Sequence, residues 1–202
     1  MQGCFPFRMC LECVQGPSFS ATQSYAHLRD EVQPVKLDTS HAGSEVVLLK
    51  NGTRICGVGG ALATAPIVQN KAFFQVCIQQ SGVWAIGVGN RFTELSNLSA
   101  ATSNAWLLRS DGTLSAENGE MVGRVDEPLH EGDIIGVAFD HVELKFFKAG
   151  EQIGCITSLK NTSPMYPLVF VDDNAILDAK FRCFDVTPPA GYEEIMIEQT
   201  LL

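Results

Sequence analysis

Between Glu131 and Gly154 the chain reads EGDIIGVAFDHVELKFFKAGEQIG, and no other stretch restricts the fold as much. It opens on a turn cluster, Glu131-Gly132-Asp133, followed by six residues, Ile134 to Phe139, that are apolar on both faces. Alternation follows, with Val142, Leu144 and Phe146 on one side and His141, Glu143 and Lys145 on the other. A period of two belongs to strands, and the two patterns predict one strand covered on both faces beside one with a wet face. Asp140-His141 supplies the polar reversal between them, and Ala149-Gly150 the left-handed positions of a second reversal. The stretch is a β-meander.

Short strand-like runs recur on either side of it. Val46–Lys50 and Thr53–Val58 flank Asn51-Gly52, which predicts a hairpin with a type I′ turn. Phe73–Gln79 and Val83–Val88 form the next expected pair, around Ser81-Gly82. Trp106–Arg109 and Thr113–Ala116 make a third around Asp111-Gly112. Leu168–Val171 and Ile176–Phe181 flank Asp172-Asp173-Asn174, read as a polar hairpin tip. Asn90 to Asn104 has no apolar run and is dense in Asn, Ser and Thr, so it predicts a long loop of the kind that tends to be functional. No amphipathic helix is present. The expected fold is all-β, an antiparallel β-sandwich, with Phe74, Trp84, Ile86, Ile135, Val137 and Phe139 buried and Trp84 and Trp106 on facing strands. Residues 1–33 read as a cysteine-bearing head, 34–192 as the domain and 193–202 as a tail outside the core.

At 202 residues with 46% hydrophobic and 18% charged residues, the chain is long and apolar enough for one real core. Its formal charge of −9 opposes non-specific binding to nucleic acid or anionic lipid, both of which need a basic surface. No run reaches the ~18 apolar residues of a membrane span, and the N-terminus is a poor secretory signal. The seven cysteines are odd in number and dispersed, which fits a reducing, cytoplasmic setting and not a disulfide framework.

Catalytic chemistry is sparse. There is no G-x-S-x-G elbow. Gly57-Val58-Gly59-Gly60 lacks the following helix of a phosphate loop and reads as a bulge or bend within a strand. Asp140-His141 is explained by turn formation, and Asp172-Asp173 offers too few oxygens for calcium. No metal site, cofactor or catalytic residue is expected. The head leaves three readings open: zinc held by Cys4, Cys10, Cys13 and His27; reversible S-acylation of Cys4, Cys10 and Cys13 beside Phe5, Phe7 and Leu11, which would allow transient, peripheral membrane contact; or an unmodified tail.

Several motifs together carry a family resemblance. These are the GD-IIG-x-x-FD meander with its trailing Leu144, Phe146 and Gly150, then Phe73-Phe74-Gln75-Val76, Trp84-Ala85-Ile86-Gly87-Val88, Tyr166-Pro167, and Pro188-Pro189-Ala190-Gly191-Tyr192. This pattern, over roughly residues 35–192, resembles the SPRY domain, with Val83–Val88 expected to pair with the Phe73–Val76 strand. It departs at Gln75, where the family has an acidic residue, and at Ala149-Gly150, where it has Asn-Gly. The resemblance implies a non-enzymatic protein-interaction module holding a peptide or partner surface in a shallow face made by loops. The corresponding positions here are Arg54 to Gly60 (Arg54, Gly59 and Gly60 in particular), the loop from Glu94 to Leu98, and Val171-Asp172-Asp173. Two aspartates stand where peptide-binding members carry an aromatic residue and a glycine, so a different partner preference, one including a basic residue, is expected. The alternatives are a structural subunit of a larger assembly or an enzyme with an unrecognised site.

Overall fold

The computed structural model describes residues 34–99, 104–157, 159 and 163–197. Cys4, Cys10, Cys13 and His27 lie outside the described residues. Among the described residues thirteen strands form: β1 (Leu37–Ala42), β2 (Glu45–Leu49), β3 (Arg54–Ala63), β4 (Ala72–Gln80), β5 (Val83–Gly89), β6 (Ala105–Arg109), β7 (Thr113–Ser115), β8 (Met121–Arg124), β9 (Ile134–Phe139), β10 (Glu143–Lys148), β11 (Glu151–Thr157), β12 (Tyr166–Asp172) and β13 (Ile176–Lys180). Among the described residues the only helical pieces are two 3-10 turns, Lys50–Gly52 and Glu117–Gly119.

The strands make two antiparallel layers that share β3. Sheet A runs β1-β3-β12-β5-β6-β7-β8, and sheet B runs β2-β3-β13-β4-β9-β10-β11. The first half of β3 pairs with β13 through Arg54 and Ile55; the second pairs with β12 through Gly59 to Leu62. A strand that changes sheets must bend, and the bend falls at Gly57 (φ 98°) and Gly59 (φ 120°), conformations open to glycine. The expected bend in the glycine run is therefore the corner of the sandwich.

Between the layers lies one core. Phe74, Trp84, Ile86, Ile135, Val137 and Phe139 are all 0–2% exposed within it, as the alternation predicts. Trp106 joins them, but on β6, beside β5 in the same sheet, so the two tryptophans do not face each other across the layers. Each sheet also has a dry outer face. On sheet A, residues 90–99 turn back over the strands and set Leu95 and Leu98 against Leu62, Ala85, Leu107 and Phe170. On sheet B, a strap from Phe184 to Tyr192 covers Phe73 and Ala138. Phe184 meets Phe73 edge-on, ring centroids 4.9 Å apart.

Two short polar turns join strands of different layers, against the expected hairpins. β4 and β5 do not pair around Ser81-Gly82: β4 lies between β13 and β9, and β5 between β12 and β6. Likewise β12 and β13 belong to different sheets, so Asp172-Asp173-Asn174 is a corner between layers and not a hairpin tip. The two corners pack together, since a Cβ on Gly82 would collide with the Asp173 carbonyl. The β2–β3 turn is also longer than a type I′ pair: Lys50, Asn51 and Gly52 all have positive φ, and the Thr53 N–H donates to the Leu49 carbonyl at 3.2 Å. Val142 belongs to the β9–β10 turn and is 62% exposed, not to the apolar row of Leu144 and Phe146. Ala149 (φ 50°) and Gly150 (φ 87°) do make the expected left-handed reversal. Finally, residues 193–197 are not outside the core. Ile195 is 5% exposed in the inner cluster, and the Glu193 carbonyl accepts from the Phe73 N–H at 2.8 Å.

Candidate functional site

The corner region gathers two of the three predicted segments around one opening. The turn after β12 is set by its own first residue: the Asp172 carboxylate accepts from the Asp173 N–H at 2.7 Å, and its carbonyl accepts from the Ala175 N–H at 3.0 Å. Asp173 (φ 45°) and Asn174 (φ 62°) are both left-handed, which short polar side chains tolerate. Gln80, at the end of β4, donates to the Asn174 carbonyl at 3.0 Å and holds the turn down. Between this turn and the bend of β3 lies a cleft of about 370 Å³, lined by Cys56, Gly57, Val58 and Gln80 on one side and by Asp172 to Ile176 on the other.

The third segment abuts the same bend from outside sheet A. The Leu95 carbonyl accepts from the Gly60 N–H at 2.8 Å and would lie only 2.6 Å from a Cβ on Gly59. Glu94 is exposed and accepts from the Ser96 N–H at 3.0 Å, and this backbone bond holds its carboxyl below the ordinary value. Of the predicted partner-binding residues, Gly59, Gly60, Leu98 and Val171 are buried and shape the corner, whereas Glu94, Asp172 and Asp173 reach solvent.

Arg54 stands beside the cleft and not in its lining. It precedes Cys56 by two residues on β3, and its side chain is engaged by β13. Its guanidinium grips Asp178 on β13, with Nη2 2.7 Å from Oδ2, and donates to Gln79 at 3.0 Å. Lys50 completes the cluster at 3.0 Å from Asp178. Burial pushes the Asp178 carboxyl up, but the bonds from Arg54 and Lys50 outweigh it and leave it below the usual carboxylate range. The charge of Arg54 is thus matched within sheet B.

One residue escaped the sequence reading. Phe92, two positions before Glu94, is 78% exposed, the most exposed of the large hydrophobic side chains described. Its neighbour Arg91 stacks over Tyr166, 4.4 Å from the ring centroid, and pairs with Asp38 at 3.7 Å. An aromatic next to arginine in an otherwise polar loop was the available signal, since these types concentrate binding energy at interfaces.

Asp140 and His141 bond different partners. Asp140 accepts from the Val142 and Glu143 N–H groups and from the Tyr192 hydroxyl at 2.9 Å, while His141 Nε2 lies 2.9 Å from the Gln69 carbonyl oxygen. Among the described residues, no group of three or more His, Cys, Asp or Glu side chains is placed to hold a metal ion, and no helix is long and apolar enough to cross a membrane.

The departure at Gln75 has a structural counterpart. Gln75 is 1% exposed; its amide donates to the Asp185 carboxylate at 2.6 Å and its carbonyl accepts from the Asp185 N–H at 2.9 Å. An acidic residue here would face a second carboxylate.

Known proteins share this fold. The chain is 42% identical over 174 residues to "SPRY domain-containing protein 7" of Homo sapiens, Mus musculus and Gallus gallus, covering 85% of this chain and 88% of each relative. The solved SPRY domain of human HERC1 superposes with a TM-score of 0.60 at 20% identity, covering 71% of this chain and 96% of that one. The TRIM65 PSpry domain gives 0.59 at 14% identity, covering 79% and 96%. A family model described as the SPRY domain matches residues 71–183, from just before β4 to just after β13, and the chain belongs to the SPRY domain family.

Proposed function

We propose that this chain is a non-enzymatic protein-interaction module of the cytoplasm that takes a partner segment at the corner cleft. The SPRY fold is that of a protein-interaction module, and the observation that carries the reading here is the cleft itself. Its floor is rigid strand and its rim is a turn with the free acid Asp173 and the half-exposed Asp172. Specificity on a rigid sandwich resides in such loops. Since Arg54 is neutralised by Asp178, the rim presents net negative charge, which favours a partner with a basic residue at the contact. Gly59, Gly60, Leu98 and Val171 hold the corner in shape, and Glu94 and Phe92 extend the face along the adjoining loop.

Proximity labelling in cells, comparing the wild-type chain with Asp172→Ala/Asp173→Ala, tests this. Asp173→Ala is an exposed change worth only about 0.5 kcal/mol, whereas Asp172→Ala also removes the turn's bond to the Asp173 N–H, so the thermal stability of the double variant is measured beside its binding. The leading partner should lose about tenfold in affinity, mainly through on-rate, and added salt should reproduce part of the loss. A partner retained equally by both forms would refute the corner as the binding face.

A further inference from the structure

A second surface lies where the strap crosses sheet B, at the other end of β4 from the cleft. On one side of the strap is an apolar pit of about 240 Å³ walled by Phe73, Ile134, Phe147, Val186, Pro188 and Pro189. The Ala149-Gly150 reversal completes its lining, and a Cβ on Gly150 would meet no atom within 4 Å. On the other side is a shallow groove of about 600 Å³ that contains Asp185, Glu193 and Glu194 and shares Val186, Thr187 and Pro188 with the pit. Asp185 is matched by Lys180 at 2.7 Å, and Lys71 lies over the Tyr192 ring, 5.3 Å from its centroid. The side chains of Glu193 and Glu194 make no ion pair among the described residues, and both are exposed. Their backbone is held against sheet B, where the two carbonyls accept from the Phe73 N–H at 2.8 Å and the Gln69 amide at 2.6 Å.

We infer that this strap is a second docking site, for an extended peptide that seats one aliphatic side chain in the pit and lays a neighbouring lysine or arginine across the strap onto Glu193 and Glu194. The pit is smaller than the ~300–1,000 Å³ of small-molecule sites, which suits a single side chain and not a cofactor. Unmatched carboxylates beside it select a cationic neighbour and reject an acidic one. The site is separate from the corner cleft. Gln80 marks the cleft end of β4 and Gln75 the strap end, five residues or about 17 Å apart.

The test selects a random-peptide display library on the purified full-length chain and measures the enriched peptides by fluorescence anisotropy. Enrichment for an aliphatic residue within three positions of lysine or arginine is expected. Thr187→Arg, which places a long cation on the wall between pit and groove, and Glu193→Lys/Glu194→Lys should each weaken these peptides by about tenfold, the loss of one anchor. Asp172→Ala/Asp173→Ala should leave them unchanged, and circular dichroism of each variant confirms the fold. Overturning results are no enrichment, enrichment without the aliphatic-basic pairing, or binding indifferent to the strap variants. Peptides lost only in the corner variant would overturn this site while supporting the corner. Peptides lost in the strap variants alone leave the corner reading to its own test.

Discussion

The two outer faces of the sandwich are both dry, yet they are closed by opposite means. Over sheet A the lid of residues 90–99 has side-chain ties at its start, through Arg91 and Thr93, but its middle is held by backbone against glycine: Leu95 O meets Gly60 N–H, and Gly59 and Gly43 leave no room for a Cβ beside that same carbonyl. Only Leu95 and Leu98 of the lid enter the apolar cluster. Over sheet B the strap is held by side chains instead: Phe184 on Phe73, Gln75 on Asp185, Tyr192 on Asp140. An antiparallel sheet commonly keeps one face wet, and covering both explains why β9 and β12 read as nearly continuous apolar runs. The difference teaches where each cover is vulnerable. A lid fastened through glycines is sensitive to any added Cβ beneath it, whereas a strap fastened through polar groups is sensitive to charge.

The comparison holds only while the shared core stands. Ile135 on β9 is 0% exposed between the layers. Replacing it by aspartate leaves an unpaired buried charge that costs several kcal/mol against a total of about 5–15. Both covers should be lost together, seen as loss of the cooperative thermal transition; a folded, cooperative variant would mean the layers do not share this core.

Breaking the lid alone is the next largest effect. Gly59→Val forces a branched residue to φ 120° and drives its Cβ toward Leu95 O and Val46. Backbone strain and overpacking together should cost about 2–5 kcal/mol. Hydrogen exchange should rise at Gly60, whose N–H bonds Leu95, while Phe73, which bonds Glu193 under the strap, keeps its protection. Equal exposure of both amides would show that the covers are one cooperative unit.

How much of this was legible follows from the same contrast. Period-two alternation placed Phe74, Ile86, Ile135 and Val137 inward, because burial between two sheets imposes that period, but it also set the exposed Val142 in the row of Leu144 and Phe146. It carried no information on which strands pair. A two-residue turn such as Ser81-Gly82 looks like a hairpin, and only the packing of Gly82 against the Asp173 carbonyl makes it a corner between layers. The corner cleft was partly visible, since the glycine run and Asp172-Asp173 were singled out on their own residues. Arg54 was assigned to it with the segment Arg54 to Gly60 that the family resemblance names, but its partner Asp178 is 124 residues away and no local pattern shows it. The lid was hidden for a related reason: Leu95 and Leu98 are isolated in a polar loop, and their burial depends on the surface they meet. The docking of Ile195 was missed likewise, one apolar residue in a segment without a period.

The strap can be broken from its polar side. Gln75→Glu puts a second carboxylate against Asp185 at a site 1% exposed, at a cost of about 3 kcal/mol at neutral pH. Adding Asp185→Asn should restore much of it, because the amide then donates to the new carboxylate. The double-mutant cycle gives the coupling directly. Additive effects would mean that Gln75 holds the strap by shape alone.

The smallest effect lies at the strap's far fastening and is separated by pH. Burial pushes the Asp140 carboxyl up, but the Glu143 N–H, the Tyr192 hydroxyl and the Val142 N–H together bring it below its ordinary value. A carboxyl whose folded value is depressed stabilises the fold above its unfolded pKa of about 3.9, and that contribution fades as pH falls through the folded value. Tyr192→Phe removes one donor to the charged form and keeps the ring on Phe73 and Ala138. At pH 7 the variant should therefore lose about 1–3 kcal/mol, the worth of a hydrogen bond to a charged group. The gap to wild type should narrow steadily below pH 4, as Asp140 takes up its proton and the hydroxyl no longer meets a charge. Chemical denaturation at stepped pH reads this directly. A gap that stays constant from pH 7 to pH 3 would mean that Tyr192 fastens the strap by ring packing and not through Asp140, and the two covers would then differ less than their hydrogen bonds imply.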